Sequence, residues 1–354
     1  MADLDTQVLV CGGGPVGLVL TLELASRGVP CAIVNESETV ATHPQGNTMN
    51  ARTMEHYRRL GLSGAVREMG LPPDHPTDLT YVTRLSGIEI ARFRMPSSKE
   101  KMAPGSPDLK VTPELLHRVS QMLVENILKK RADALPAADV RFGWRLTGFT
   151  QHSDHVEAKL EEAKSGRTET LRCAYLVGCD GARSTVRRAL GIRYAGESAE
   201  DRTYMMGRMQ SIYIEAPGIY DVQANPISFH LKVLNPENRS AFITLDGKGK
   251  FLVFTKLAPG EEVSAERGRE IARSQIGADV PVKVISAKPW TAGNALVTDR
   301  YGEGRVFLAG DAVHLFTPTG GFGMNTGIDD AANLGWKLAA VVQGWGGSRP
   351  PRQL

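Results

Sequence analysis

The sequence predicts an α/β fold, in which a parallel sheet covered by helices is joined to a second domain built mainly from strands. Three observations support this prediction. The chain opens with an apolar strand, a glycine-rich turn, an apolar helix and a second apolar strand, a βαβ unit that is complete by residue 35. The segments 174–177 and 305–309 have the continuous apolar character that is typical of buried parallel strands. Between them, most of 190–285 alternates apolar and polar residues, as half-buried strands do.

The composition limits the class of protein. A chain of 354 residues is longer than one hydrophobic core usually holds, and 42% hydrophobic with 23% charged residues is typical of a folded globular protein. The net charge is +3 with scattered basic residues, which argues against nucleic acid as a partner. No apolar run approaches the ~20 residues that span a bilayer, and residues 1–6 carry no leader pattern. We therefore expect no membrane insertion and a cytoplasmic location.

The cysteines are expected to be buried thiols without a chemical role. The four cysteines form no CxxC pair, and no Cys/His spacing typical of a zinc site is present. Free cysteine is one of the most frequently buried residue types. The sequence analysis therefore assigns no metal ligands.

Further elements follow from periodicity and from helix and turn signals. The pattern predicts, in chain order, a helix at 51–60, a linker at 71–78, a helix from Pro113 to about residue 131, strands at 142–149 and 155–160 with a hairpin tip at 161–169, and a helix at 326–342. Pro113 is placed in the first turn of its helix because proline is favoured there.

The turn after the first strand has a dinucleotide-binding pattern. Gly12, Gly14 and Gly17 stand in the spacing Gly-x-Gly-x-x-Gly, with Pro15 and Val16 between the second and third glycine. In such a turn the glycines permit a tight bend, close approach of the backbone to a pyrophosphate and close packing of helix on strand. The helix N-terminus then faces the phosphates. We therefore predict a dinucleotide cofactor.

The residue expected to bind the adenosine ribose lies at the end of the second strand. It is usually acidic, but Asn35 stands at that position here. An amide still donates and accepts hydrogen bonds, and Glu36 follows if the strand end shifts by one residue.

Three other segments carry candidate residues, and two of them directly follow predicted strands. Gly310-Asp311 comes after the strand at 305–309, where a carboxylate suits a sugar diol or, alternatively, caps the following segment. The loop 318–325 exposes backbone N–H groups next to a helix N-terminus, which would stabilise negative charge on a flat ring system. The cluster 178–184, which contains Asp180, would by itself be only a turn.

In this order and spacing the clusters resemble the FAD-dependent aromatic hydroxylases of the para-hydroxybenzoate hydroxylase type, which are single-component flavoprotein monooxygenases. The resemblance extends from about residue 7 to 345, and its most specific parts are the Gly12 turn, 175–187 and 304–338. It implies a Rossmann-like FAD-binding domain with a sheet-based substrate domain. It also implies that NADPH or NADH reduces FAD, that dioxygen forms a flavin hydroperoxide, and that a phenolic or polycyclic aromatic ring is hydroxylated.

The resemblance also implies domain limits and site residues. The FAD-binding domain would comprise 1–75, 111–189 and 286–354, and the substrate domain 76–110 and 190–285. Gly12, Gly14 and Gly17 would hold the pyrophosphate, and Asp311 the ribityl or ribose hydroxyls. Further FAD contacts are implied at Arg118, Gln121, Asp180, Gly323, Met324 and Asn325, with Asp180 also linked to NAD(P)H and Pro318 near the reactive edge of the flavin. Arg118 and Gln121 would alternatively belong to a solvated helix face.

The sequence departs from the family at two further places. Gln45 stands where many relatives have arginine, so one phosphate contact is expected to be missing. The chain ends soon after the predicted last helix, whereas relatives continue, so we expect a shortened C-terminus that could alter a homodimer interface.

The substrate pocket is expected between the FAD-binding domain and the inner face of the second sheet. On the strand 227–234, alternation puts His230 and Lys232 on one face. His230 is a candidate base for a phenol, and the alternative is a satisfied or surface histidine. Further candidates of the same kind are Tyr204, Tyr213 and Tyr220, whereas Trp290 is more typical of a core.

Two alternative functions stay open. Related flavoproteins halogenate, epoxidise or only reduce, although no tryptophan-centred motif of the halogenases is present near residue 200. A truncated, non-catalytic product that binds flavin or is misfolded is the second alternative. The substrate and the choice of NADH or NADPH are not determined by the sequence.

Overall fold

A computed structural model describes residues 3–198, 208–224, 226–257, 260–261, 264–291 and 293–347. The strands are β1 (Thr6–Cys11), β2 (Cys31–Asn35), β3 (Leu79–Val82), β4 (Glu89–Phe93), β5 (Ala138–Phe142), β6 (Trp144–Gln151), β7 (Val156–Glu162), β8 (Thr168–Gly178), β9 (Tyr194–Glu197), β10 (Arg208–Glu215), β11 (His230–Leu234), β12 (Arg239–Thr244), β13 (Lys250–Lys256), β14 (Lys283–Thr291), β15 (Ala295–Thr298), β16 (Gly302–Glu303), β17 (Val306–Leu308) and β18 (His314–Leu315). The helices are α1 (Pro15–Ala25), α2 (Ala51–Arg59), α3 (Ser63–Arg67), α4 (Ser98–Lys101), α5 (Gln121–Asp133), α6 (Thr185–Ala189), α7 (Ile219–Val222), α8 (Ala265–Ile276) and α9 (Phe322–Val342).

The first sheet contains the predicted βαβ unit. Its strand order is β16-β17-β8-β1-β2-β5, and all neighbours in this order are parallel except β16 and β17. The hairpin β6–β7 extends the sheet through antiparallel pairing of β7 with β8. Helices α1, α5 and α9 cover one face in a single apolar cluster, and residues from the hairpin and α6 form a second cluster on the other face. The carboxyl ends of the parallel strands therefore meet at one edge, where the glycine turn lies.

The second sheet has seven strands in the order β14-β10-β13-β12-β11-β3-β4. Its neighbours are antiparallel, except that β11 and β3 are parallel. Ile212, Val253 and Phe242 point to one face and pack in a cluster with the buried side of α8. The opposite face, which we call the inner face, carries Ser211 and Phe254. The α/β fold with a second, sheet-based unit is as the sequence predicts.

Several predicted boundaries differ from the structure, and the last helix, expected from residue 326, begins at Phe322. The helix expected from Pro113 begins only at Gln121, because the preceding backbone pairs elsewhere: Met49 and His117 exchange two N–H···O bonds of 2.9 Å. The expected domain limit at 285–286 falls inside β14, whose residues pair with β10 as far as Thr291. We therefore propose that the chain returns to the first domain after that strand. Among the helices in the described ranges, none has both the length and the apolar character needed to cross a membrane.

Candidate cofactor and substrate site

The glycine turn is shaped by contacts that leave no room for side chains at two positions. Gly12 has φ +111°, and a Cβ there would collide with the backbone of Cys179 on the neighbouring strand. A Cβ on Gly17 would collide with the carbonyl oxygen of Gly12. Gly14 differs, because a Cβ there would meet nothing within 4 Å. It is the N-cap of α1, and Pro15 is the first helical residue. Open space therefore lies directly before the N-terminus of this helix, as a pyrophosphate site requires.

Asn35 braces the glycine turn. The N–H of Gly13 donates to Asn35 Oδ1 at 3.0 Å, and Asn35 Nδ2 donates to the Ser37 carbonyl oxygen at 3.0 Å. The amide keeps one acceptor and one donor position unused by these two hydrogen bonds, and its contact with a ribose stays a prediction. Glu36 is exposed, and its carboxylate lies 3.5 Å from the guanidinium of Arg145.

Asp311 lies beside the start of α1. The 3₁₀ turn Gly310–Ala312 packs against Val16, since a Cβ on Gly310 would lie 2.9 Å from Val16 Cγ2. The N–H of Gly310 donates to Asp330 Oδ2 at 2.9 Å. The Asp311 side chain is open to solvent, although partial desolvation by surrounding protein atoms raises its pKa. It does not cap this turn, and no residue of the described ranges donates a hydrogen bond to its carboxylate. The carboxylate is thus available to a ligand.

Asp180 lies against the glycine turn at Gly12. Its Oδ2 accepts hydrogen bonds from the N–H groups of Thr185 at 2.7 Å and Val186 at 3.2 Å, at the start of α6. Its Oδ1 is buried and has no hydrogen-bond partner. Its Cα would lie 2.9 Å from a Cβ on Gly12. One carboxylate oxygen is therefore structural, and the other is left for a ligand or water.

The last predicted cluster, Gly323 to Asn325, lies in the first turn of α9 rather than in the loop before it. A Cβ on Gly323 would meet nothing within 4 Å, and the Met324 side chain lies beside Gly46. The Asn325 amide is fully used within the protein, because it accepts from Asn50 N and Thr53 Oγ1 and donates to the carbonyl oxygens of Thr48 and Gly321. Any contact of Asn325 with a flavin would have to come from its backbone. Its side chain joins the start of α9 to 48–53.

Arg118 and Gln121 are not on a solvated helix face. Arg118 precedes the helix, donates to Thr48 Oγ1, and stacks with its guanidinium carbon 4.3 Å from the centre of the Phe229 ring. Burial lowers the pKa of Arg118 to about 10, and its Nε has no hydrogen-bond partner. Gln121 begins α5, and its backbone N–H donates to the Gly46 carbonyl oxygen at 2.7 Å. Its Oε1 accepts from the N–H of Gly46 at 3.3 Å, so Gln121 fixes this loop.

His43, which was not among the predicted site residues, connects the first domain to the inner face. Its Nδ1 lies 2.7 Å from Ser286 Oγ on β14, and its Nε2 lies 2.9 Å from Ser211 Oγ on β10. Burial, and secondarily the charge of Lys288, lower the pKa of His43 to about 4. The ring is therefore neutral at pH 7, with one nitrogen donating and the other accepting. No local sequence pattern marks this residue, since its partners are more than 160 positions away.

The predicted substrate-side residues occupy different environments. His230 Nε2 is buried without a partner, and burial, then the charges of Lys232 and Arg118, lower its pKa to about 4. This histidine is neutral at pH 7 and suits a hydrogen-bond acceptor better than a proton carrier. Pro318 is exposed in the loop before α9. Tyr204 lies outside the described residues.

The other aromatic candidates divide between the two faces of the second sheet. Tyr213 is buried with Leu252 and packs towards Met122 of α5. Tyr220 packs on Phe251 in the opposite cluster, with ring centres 5.6 Å apart, so it does not face the predicted pocket. Trp290 packs on Phe254 with ring centres 4.4 Å apart, and pairing places both on the inner face. Trp290 is only partly buried, contrary to the expected core position.

A sequence profile of the family described as FAD binding domain matches residues 5–350. The chain belongs to this family. It is 33% identical over 363 residues to tetracenomycin B2 monooxygenase-dioxygenase of Streptomyces olivaceus, covering 97% of this chain and 64% of that protein. It is 33% identical over 355 residues to 2,4-dichlorophenol 6-monooxygenase of Cupriavidus pinatubonensis, covering 96% and 57%. The structure of the flavin-dependent monooxygenase PieE in complex with FAD and substrate matches with TM-score 0.87 and 29% identity, covering 98% and 60%.

The family membership confirms the predicted resemblance, the fold class and FAD as the cofactor. The chain spans 56%, 64% and 60% of the length of three curated relatives that it matches. The residues present also fit the cofactor. Space is open at Gly14 and Gly323, the Asp311 carboxylate is available, and Arg118 Nε and Asp180 Oδ1 are buried without partners. Such unpaired polar atoms are costly unless a ligand or water satisfies them.

Substitutions at two glycines should separate cofactor binding from folding. Gly14→Val places its side chain in open space, so the flavin-free chain should unfold within about 1 kcal/mol of the wild type while FAD binding is lost. Gly17→Ala should lower the free energy of unfolding by about 1–3 kcal/mol or more, because its Cβ meets the Gly12 carbonyl oxygen. Thermal unfolding and flavin retention after gel filtration measure both effects. Retention of FAD by Gly14→Val would contradict the assigned pyrophosphate site.

Asp311→Ala should weaken FAD binding without altering the fold. A charged hydrogen bond contributes about 1.5–3 kcal/mol, which corresponds to about a 10- to 100-fold rise in the Kd for FAD. Titration of the flavin-free chain with FAD, followed by flavin fluorescence, measures the change. The exposed Asp299→Ala is the control, and an equal Kd for both variants would remove Asp311 from the cofactor site.

The His43 contact predicts an acid-sensitive domain interface. Because its folded pKa of about 4 lies below the unfolded value of 6.5, its contribution to stability is fully present above pH 6.5 and is lost as the pH falls towards 4. His43→Gln should therefore show a smaller loss of unfolding free energy over this range, measured by urea unfolding. The variant should still lose part of its unfolding free energy over this range, because the pKa of His230 is also lowered in the folded protein. Identical pH profiles for wild type and variant would contradict this role.

Proposed function

We propose that this chain is an FAD- and NAD(P)H-dependent monooxygenase that hydroxylates a phenolic or polycyclic aromatic substrate. The observation that carries the proposal is the segment 43–46, which joins the cofactor cleft to the inner face of the second sheet. Gly46 lies beside Met324 and is held by Gln121, whereas His43 binds Ser211 and Ser286. A flat ring at the start of α9 would thus lie close to the inner face.

The relatives support the class of substrate. The names of two relatives specify tetracenomycin B2 and 2,4-dichlorophenol, of which the second is a simple phenol. The inner face of this chain carries aromatic surface at Phe254 and Trp290, which suits an aromatic ring. A homodimer and a cytoplasmic location stay predictions.

FAD, when bound and reduced by NAD(P)H, supplies activated dioxygen chemistry that delivers one oxygen atom to the ring. The tasks of the chain are to bind the cofactor, to orient the substrate ring and to exclude water. Gly14 and the first turn of α1 would hold the pyrophosphate, and Asp311 the neighbouring hydroxyls. Asp180, with one free carboxylate oxygen, would lie beside them.

The substrate hydroxyl would meet a neutral acceptor and two positive charges. His230 has an unpaired Nε2, and Lys232 and Arg118 lie close enough to lower its pKa. A neutral imidazole accepts a hydrogen bond from a phenol, whereas nearby cations favour the ionised phenolate. The phenolate is the more electron-rich ring and therefore the better target for an electrophilic oxygen.

The proposal is tested with the full chain loaded with FAD. We expect oxidation of NADPH or NADH to be stimulated by members of a panel of phenols and polycyclic phenols, with products that mass spectrometry shows to contain one added oxygen atom. Hydrogen peroxide release measures reduction that is not coupled to hydroxylation. Oxidation without any hydroxylated product would favour a reductase, and failure to retain added FAD would favour the non-catalytic alternative.

A further inference from the structure

The hairpin β6–β7 brings two histidines and a glutamate together at its tip. The N–H of His152 donates to the His155 carbonyl oxygen at 2.8 Å, which closes the turn. The two imidazole rings stack with centres 4.4 Å apart and planes 12° apart. The Nε2 atom of His152 lies 3.7 Å from Glu157 Oε2, and that of His155 lies 3.7 Å from Glu157 Oε1. We infer that these three side chains form a binding site for a divalent transition-metal ion, with Zn²⁺ as the representative.

The donor set and its spacing suit such an ion. Imidazole and carboxylate groups are common ligands of zinc, and zinc–ligand distances of about 2.0–2.2 Å in a tetrahedron correspond to ligand separations of about 3.3–3.5 Å. One ligand atom from each residue lies within 4.8 Å of the others. Small rotations of the exposed His152 side chain and of the partly buried His155 and Glu157 side chains would close the remaining difference. Three protein ligands leave a fourth position for water.

A neighbouring carboxylate orients one of the two rings. Asp154 Oδ1 lies 2.8 Å from His155 Nδ1. A carboxylate at this nitrogen holds the proton there and leaves Nε2 with its lone pair directed towards Glu157. Metal-binding histidines commonly have such a partner on the second ring nitrogen. The Asp154 contact is therefore an independent observation in favour of a ligand role for His155.

Arg172 is the cation that faces this cluster. Its Nε donates to Glu157 Oε1 at 3.1 Å. Because Arg172 uses Oε1, the ion would be bound through Oε2.

The cluster is separate from the cofactor site. Val156, which follows the tip, is opposite Cys173, and Cys173 is opposite Thr6 at the start of β1. The glycine turn follows Cys11 at the other end of β1, about 16 Å away at 3.3 Å per residue. A metal ion here would not touch a flavin. It would instead stabilise the hairpin tip, where Arg305 Nε donates to the Ser153 carbonyl oxygen at 3.0 Å.

The test uses the full chain without a histidine tag, treated with a chelator and then dialysed. Titration with Co²⁺ or Zn²⁺, followed by calorimetry and by the visible absorption of Co²⁺, should give one equivalent of bound metal with the intense bands of a four-coordinate ion. His152→Ala and His155→Ala should each raise the Kd at least about tenfold, since even outer partners of metal sites contribute 10- to 100-fold. Glu161→Gln, on the same face of β7, should leave the Kd unchanged.

Other binding sites are distinguished in the same experiment. Flavin-free and FAD-loaded chains should bind the metal equally, whereas binding only to the loaded chain would assign it to the cofactor phosphates. Circular dichroism verifies that each variant is folded, and the exposed tip makes misfolding unexpected. Absence of binding at millimolar Co²⁺ and Zn²⁺, or an equal Kd for wild type and both histidine variants, would overturn the proposal.

Discussion

The close packing of the glycine turn against its neighbours is the constraint on which the site depends. Gly12 lies against the backbone of Cys179, and Gly17 lies against Gly12, so α1 begins directly over the carboxyl end of β1. Asn35 is drawn to the turn by its hydrogen bond from Gly13. Because α1 starts there, the open space before its N-terminus faces the edge where β8 and β17 also end. The polar residues that follow those strands are therefore collected around one cleft.

A second constraint links this cleft to the other sheet. The segment from His43 to Thr48 contacts the inner face at one end and the start of α9 at the other. It is held by Gln121 and by Arg118, and the Arg118 guanidinium lies over the ring of Phe229, directly before β11. A single stretch of backbone thus connects the groups that would bind a cofactor with those that would face a substrate. The neutral state of His43 matters here because a charged ring would be desolvated between two hydroxyls.

Local patterns predicted the elements whose contacts are close in sequence. The glycine spacing, the buried strands and the position of Asp311 follow from signals within about ten residues, whereas the role of Asp180 was implied only by the family resemblance. The start of the helix expected at Pro113 was wrong, because the distant Met49 pairs with His117 and the helix begins only at Gln121. Asn325 belongs to the predicted loop, but its side-chain amide forms hydrogen bonds with residues 48–53. No local sequence pattern indicates these distant partners. The histidines and glutamate at the hairpin tip have the local spacing His-x-x-His-x-Glu, but only the hairpin turn shows that their side chains meet.

The sequence by itself determined the α/β class, the dinucleotide turn and the family, because these depend on residue spacing within single strand-turn-helix units. Only the tertiary structure decided which polar groups are satisfied and which are free. Satisfaction depends on partners far apart in the chain, as with His43 and Ser286, separated by 243 positions. It also decided that His230 is neutral, because its pKa is lowered mainly by burial, then by Lys232 of the same strand and by Arg118 from a distant part of the chain.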